Sequence, residues 1–362
     1  MYDGEYRAVI GTGGIGSGIM FELQGDHTLG REESRAGVLS DCRDFCKLHI
    51  ILHYVALLLG SNQEDSSTFQ TVPLGKVGKD AVAEEMVRLM GESGMDTRYV
   101  ISTGGAPTLY SVCFLYPDRT GGNITTSRSA SSLLHPSEIR AAQQLCLEYG
   151  QRGMALAAPE VPIESRLELL MMAGEFDLLR FCTLTSAEMT DPRAAECIAN
   201  TEFLAINRDE ASALCGKTCD SNNPEPFLDA MQDRVSRLNS KLRLLVTVGE
   251  RGSWAWRDGR WEYIPAARVE VKSTAGAGDA SMAGLIIATA AGLPFIRPEP
   301  VKRTGLAELP VETAADFAAL LGSVSTVSPD TINLDADAGY ILDHGRTLGL
   351  KFCPELQRLL ED

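Results

Sequence analysis

The sequence predicts an α/β protein built on a mainly parallel sheet with helices on both faces. Three observations carry this expectation. Short apolar runs alternate with helical patterns over most of the chain. A glycine turn at 273–280 runs directly into an apolar helix at 281–291. Polar clusters at 207–210 and 246–252 follow apolar runs, which places them at the carboxyl ends of strands, where open α/β sheets bind their ligands.

Taken in chain order, residues 7–10 read as a first strand ending in a glycine cluster, followed by a polar, charged stretch at 25–44. A helical pattern covers 45–59, a strand and turn cover 72–80, and 81–93 is an amphipathic helix. From 98 to 127 the chain becomes β-like, with turn signals at Gly104-Gly105 and Gly121-Gly122, and reads as a small β excursion from the main sheet. The βα alternation resumes after 155–158, with a helix at 164–173, a strand at 203–206 and a helix at 209–215. A helix at 227–238 leads to a strand at 242–248, and Asp258-Gly259 between two Trp-containing runs signals a hairpin. Residues 294–310 read as a loop, and 335–362 give no clear pattern.

At 362 residues the chain is long enough for one large domain or two smaller ones. Its net charge of −16 excludes a nucleic-acid partner and a polybasic membrane contact. No apolar run is long enough to span a bilayer. Nine cysteines, an odd number scattered over a long chain, and an N-terminus without a signal-peptide core point to a reduced cytoplasmic interior.

The turn Gly276-Ala277-Gly278-Asp279 aims several backbone N–H groups at one spot, and the helix dipole adds roughly half a positive charge there. Such a spot suits a phosphoryl group in transfer, and Asp279 can take the proton of an attacking hydroxyl. An ordinary loop-to-helix junction uses the same residue types. Likewise Asn207 and Glu210 have capping-box spacing, and Thr247-Val248-Gly249 alone is a turn.

Their order along the chain resembles the ribokinase-like (PfkB) carbohydrate kinases. Gly276-Ala277-Gly278-Asp279 matches the C-terminal signature of that family, Asn207 to Glu210 its Asn-x-x-Glu motif, and Thr247, Gly249 and Gly252 its nucleotide loop. Residues 75–80, 94–100 and 159–162 and the β-rich stretch to about 127 are similar to family segments, so the resemblance covers about 72–292. It implies a three-layer α/β/α core at 1–97 and 128–362 with a small β lid at 98–127. It also implies ATP and Mg²⁺ as cofactors and the hydroxyl of a sugar, or secondarily a nucleoside, as acceptor. Asp279 is then the general base, the N–H groups of Gly276, Ala277, Gly278 and Asp279 the anion hole, and Asn207 and Glu210 the holders of Mg²⁺ through water. Thr247, Gly249 and Gly252 border ATP, and Glu160, Gly13 and Asp26 fall on the acceptor side. Lids of this type pair across a homodimer in many relatives, and Arg119 falls in the lid's turn as a surface residue.

The pattern departs from the family on the acceptor side. No acid follows the first strand at 13–18, and Cys46-Lys47 and Ile51 stand where relatives carry a Gly-Gly pair and an Asn. Asp26, His27, Arg31 and Glu33 offer a different acceptor site or a solvated loop. Ser273 replaces an Asp tied to a monovalent cation, and Ala319 falls near a position that often carries Asn beside the adenine. Three rival readings accompany the kinase. Gly11 to Gly16 satisfies the G-x-G-x-x-G fingerprint of an NAD(P)-dependent oxidoreductase, which requires a helix next and an apolar strand ending in an acid. The stripe Cys42, Cys46, His49 and His53 invites zinc, but one straight helix cannot wrap four ligands around an ion. A nucleotide-binding pseudoenzyme acting through a partner is the third.

Overall fold

The computed structural model describes residues 4–118, 121–220 and 223–361, with the side chains of 41, 42 and 121 left aside. Arg119 therefore lies outside the described residues, as does the side chain of Cys42. The chain opens with β1 (Ala8–Thr12), β2 (Gly16–Leu23), β3 (Gly37–Phe45), α1 (Lys47–Leu58), β4 (Gln70–Val77) and α2 (Ala81–Glu92). Next come β5 (Val100–Ser102), β6 (Leu109–Leu115), β7 (Gly121–Thr125), α3 (Pro136–Arg140), α4 (Gln143–Tyr149), β8 (Gly153–Ala157), α5 (Ile163–Glu175) and β9 (Leu179–Cys182). Then follow α6 (Pro192–Ala199), β10 (Phe203–Asn207), α7 (Arg208–Cys215), α8 (Glu225–Leu238), β11 (Arg243–Thr247), β12 (Ser253–Arg257) and β13 (Arg260–Ile264). Helices α9 (Ala277–Ala290), α10 (Ala314–Thr326), α11 (Ala338–Thr347) and α12 (Pro354–Glu361) complete the chain.

The main sheet has nine strands in the order β13-β12-β11-β10-β9-β8-β1-β4-β5. Seven run parallel, and the β12–β13 hairpin adds an antiparallel edge. Its turn residues Asp258 and Gly259 both take positive φ, as a two-residue hairpin requires. Strand alternation explains the layering. On β10, Phe203 and Ala205 face the core that holds α1, α9 and α10, whereas Leu204 and Ile206 face the core formed with α7 and α8. Ile10 and Val9 of β1 likewise point to opposite cores. Buried on both faces, these strands lack a polar phase and read as continuous apolar runs.

A separate four-stranded sheet, in the order β3-β2-β6-β7, corrects the sequence reading at two places. The stretch 25–44 is not a polar connection throughout, since β3 occupies its second half and pairs antiparallel with β2. Residues 98–127 do not all belong to the excursion, because β5 pairs with β4 in the main sheet. The small sheet is half exposed, so its apolar alternation is weak and its strands are faint in the sequence.

The oxidoreductase fingerprint fails on geometry: β2, not a helix, follows Gly11 to Gly16. Close packing accounts for several of these glycines. A Cβ on Gly16 would stand 2.1 Å from the carbonyl oxygen of Leu109, and one on Gly13 would stand 2.9 Å from both Ala158 and Leu48. The 335–362 end forms α11 and α12, which cap the first core. Among the described residues, no helix is long and apolar enough to cross a membrane.

Candidate active site

Two helix mouths converge at the carboxyl edge of the main sheet. Gly276 is the N-cap of α9 with φ +81°, a left-handed conformation, and a Cβ there would come within 2.1 Å of the Thr331 carbonyl oxygen. The N–H groups of Gly278 and Asp279 lie in the first turn and have no intrahelical acceptor, whereas the Ala277 N–H donates to the Thr274 carbonyl at 3.4 Å. Gly278 is exposed, and a Cβ on it would meet nothing within 4 Å, so the mouth opens onto free space. Asp279, by contrast, is 7 % exposed.

The second mouth belongs to α1, which packs against α9. Its N-cap, Cys46, makes no side-chain cap, and the Oε2 of Glu160 fills that role by accepting the Lys47 N–H at 3.1 Å. Glu160 holds φ +74°, an uncommon conformation for a residue with a Cβ, and one that clusters at functional sites. A Cβ on Gly14 would stand 2.5 Å from that of Glu160, so the glycine makes room for it. Gly13 packs beside Ala158 beneath the same turn.

The Lys47 ammonium reaches the Asp279 carboxylate at 3.3 Å and 3.5 Å, joining residues 232 positions apart. Burial raises the Asp279 carboxyl above its ordinary range, Lys47 opposes that, and Asp44 adds to it. Glu160 is pushed up to about 7, by burial first and by Asp279, against the pull of Lys47. Asp279 holds Lys47 firmly protonated against its own burial, with help from Glu160 and Glu210.

Sequence reading missed Asp44 and the pairing of Lys47. Asp44, at the end of β3, accepts hydrogen bonds from the Ser111 hydroxyl at 2.5 Å and the Cys113 thiol at 3.4 Å. A Cβ on Gly18 would stand 2.6 Å from its Oδ2, so this carboxylate fills the space over the acid-free glycine stretch. The available signal was an acid just before the helical pattern at 45–59.

The residues expected on the nucleotide side line the adjoining strand ends. Asn207 caps α7, its Oδ1 accepting from the N–H groups of Asp209 and Glu210 at 2.9 Å each. Glu210 Oε2 accepts the Asn207 N–H at 2.7 Å, completing a capping box. Burial raises the Glu210 carboxyl, and its second oxygen is left for other work. Thr247 ends β11 beside Asn207. Gly249 and Gly252 take φ +58° and +81°; a Cβ on Gly252 would clash with the Ile264 carbonyl oxygen at 2.2 Å, whereas one on Gly249 would meet nothing within 4 Å.

Asp26 does not join this group. It lies exposed in the loop between β2 and β3, where Glu33 accepts the Gly30 N–H at 2.7 Å and pairs with Arg35 at 2.6 Å and with His27 at 3.1 Å. Within that loop, Glu33 is the hub of the ion pairs. Of the cysteine–histidine stripe, His49 and His53 are buried with rings 6.3 Å apart, and burial pushes them down to about 3 and about 4. Among the described residues, no group of three or more His, Cys, Asp and Glu side chains is arranged to hold a metal. Ile51, where an Asn was sought, is core.

This architecture is the ribokinase-like α/β fold. A ribokinase from Giardia lamblia superposes with a TM-score of 0.76 at 17% identity, covering 95% of this chain and 99% of that one. A nucleoside kinase from Burkholderia thailandensis in complex with inosine gives 0.69 at 16% identity, covering 95% and 99%. An Arabidopsis thaliana ribokinase complexed with ribose and ATP gives 0.66 at 17%, covering 99% of each. In sequence, a deoxyribokinase from Salmonella typhi is 28% identical over 221 residues, 57% of this chain and 64% of that protein's length. The pfkB family carbohydrate kinase profile matches residues 55–338, and the chain belongs to that family.

Proposed function

We propose that the protein is an ATP-dependent kinase that transfers the γ-phosphoryl group to a hydroxyl of a sugar or sugar-like small molecule. One observation carries this reading: a buried acid, Asp279, sits on the first turn of a helix whose mouth is open at Gly278. The amide groups of that turn stabilise the transferring phosphoryl, and Asp279 takes the acceptor's proton. The open faces of Gly249 and Gly278 leave room for a triphosphate along the strand ends. Family membership and the likeness to a deoxyribokinase support a sugar acceptor. The fold shared with a nucleoside kinase keeps a nucleoside as the second candidate.

Mg²⁺ fits the donor set here through water, since it retains several waters and takes one or two carboxylates beside phosphate oxygens. Glu210, with one oxygen engaged by its own cap, is the carboxylate for that role, and Asn207 borders it. When bound, the ion neutralises phosphate charge. Of the acceptor-side residues, Glu160 and Asp44 surround Asp279 and are proposed to hold acceptor hydroxyls, with Gly13 beneath them. The small sheet borders this side through Asp44 and is proposed to act as a lid, shielding the phosphoryl from water. Exposed Val38, Leu39 and Ile124 on its edge strands support pairing of two lids in a homodimer. Cys46, Cys146, Cys182, Cys197, Cys215, Cys219 and Cys353 are free thiols, which supports a reduced cytoplasmic setting.

The test is a screen of sugars, polyols and nucleosides for acceptor-dependent ADP release, with Asp279→Asn as the blank. Release above that blank with one acceptor supports the kinase. Nucleotide binding without turnover on any acceptor turns the reading toward a pseudoenzyme.

A further inference from the structure

Lys47 is the cation common to the three acids of the site. Asp279, Glu160 and Glu210 all feel its charge, and its ammonium rests on the first of them. Its backbone is held in place from two sides. Glu160 accepts its N–H. The strand before it is stitched to the loop over α9, where Phe45 N–H donates to the Thr331 hydroxyl at 2.8 Å and Arg43 N–H to Asp330 at 2.6 Å. Thr331 is also the residue whose carbonyl presses on Gly276. The root of Lys47 is therefore fixed relative to the mouth of α9. Its side chain, about a third exposed and with four rotatable bonds, retains freedom to turn.

We propose that Lys47 is a catalytic cation that leaves the Asp279 carboxylate for the γ-phosphoryl oxygens when a nucleoside triphosphate enters. This rests on the kinase reading above. Even with Mg²⁺ bound, a triphosphate adds roughly two net negative charges to a pocket that already holds Asp279, Glu160, Glu210 and Asp44, and a mobile cation offsets the repulsion that remains. The move also changes Asp279. Freed of its ion pair, that carboxylate binds a proton more readily, so base strength rises as the phosphoryl group arrives. In the transfer, the acceptor oxygen forms its bond to Pγ while the bond from Pγ to the β,γ-bridging oxygen breaks, its electron pair leaving on ADP. The acceptor's proton goes to Asp279, and Lys47 stays protonated throughout.

The experiment is calorimetric titration of β,γ-methylene ATP and of ADP, each with Mg²⁺, into the wild type, Lys47→Met and Lys47→Arg. Losing one charge-assisted contact should cut the preference for the triphosphate analogue over ADP by about 10- to 100-fold in Lys47→Met. ADP affinity should stay within about threefold, and Lys47→Arg should retain most of the preference. If Lys47→Met binds both ligands in the wild-type ratio, the role of Lys47 is overturned while the kinase reading stands. If the wild type binds neither nucleotide, both fall. Melting curves check folding, and should Lys47→Met not fold, Lys47→Gln takes its place under the same criteria.

Discussion

Asp279 is buried, yet it keeps one cation at 3.3 Å and two further carboxylates close by. Desolvation and Asp44 push its proton affinity up, and Lys47 pulls it down, a balance that suits the general-base role proposed for it. Asp279→Asn should lower turnover by about two to four orders of magnitude while ADP binding persists, as read by steady-state kinetics and calorimetry. Wild-type turnover in that variant removes Asp279 from the mechanism. Glu160 makes a separate, pH-dependent prediction. Its folded-state pKa of about 7 lies above the ordinary value of 4.5, so the folded protein binds more protons than the unfolded chain between those limits. Its contribution is fully present below pH 4.5 and is lost as pH rises through 7, so melting temperature should fall across that window. Glu160→Gln, whose amide oxygen can still accept the Lys47 N–H, should flatten the fall. An unchanged slope would assign the pH dependence elsewhere.

Helix α9 depends on its first residue. Gly276 combines φ +81° with a Thr331 carbonyl oxygen that an added Cβ would meet at 2.1 Å, so Gly276→Ala must move main chain rather than a flexible side chain. A loss of at least about 2 kcal/mol is expected in urea unfolding, together with weaker nucleotide binding. Stability within about 0.5 kcal/mol of wild type would show that the turn relaxes freely. Helix α7 allows its two roles to be separated. In Glu210→Gln the capping box survives, because Gln can still accept the Asn207 N–H, but the carboxylate charge is gone. Stability should change little, whereas the Mg²⁺ concentration for half-maximal activity should shift. An unshifted Mg²⁺ profile would reduce Glu210 to a cap.

Across the whole molecule, the small sheet and the main sheet meet at the segment Arg43–Lys47, which delivers Asp44 from β3 and Lys47 from α1 to the two sides of Asp279. The two edge strands of the small sheet expose Val38 at 58%, Leu39 at 57% and Ile124 at 69%, apolar side chains that pairing with the lid of a second copy would cover. Sedimentation at micromolar concentration should give a dimer, and combined Leu39→Asp and Ile124→Asp substitution should give a monomer. A monomeric wild type would contradict lid pairing.

The local geometry of the proposed phosphate side was legible in the sequence, because a glycine turn, a helix mouth and a capping box are built from residues within about four positions of one another, where local stereochemistry is set. Much of the main sheet was legible for a related reason: strands such as β1 and β10 are buried on both faces and read as short apolar runs. The small sheet was not, since half-exposed strands carry little periodicity and β3 is recognised only by its partner β2. Nor was the acceptor side. The acid over the first glycines comes from β3, and the cation on Asp279 comes from 232 residues away. The sequence thus determined the glycine turn and helix mouth proposed to hold phosphate, through short-range backbone geometry, and the tertiary structure alone decided which charges surround Asp279, because Lys47 reaches it only when α1 packs on α9.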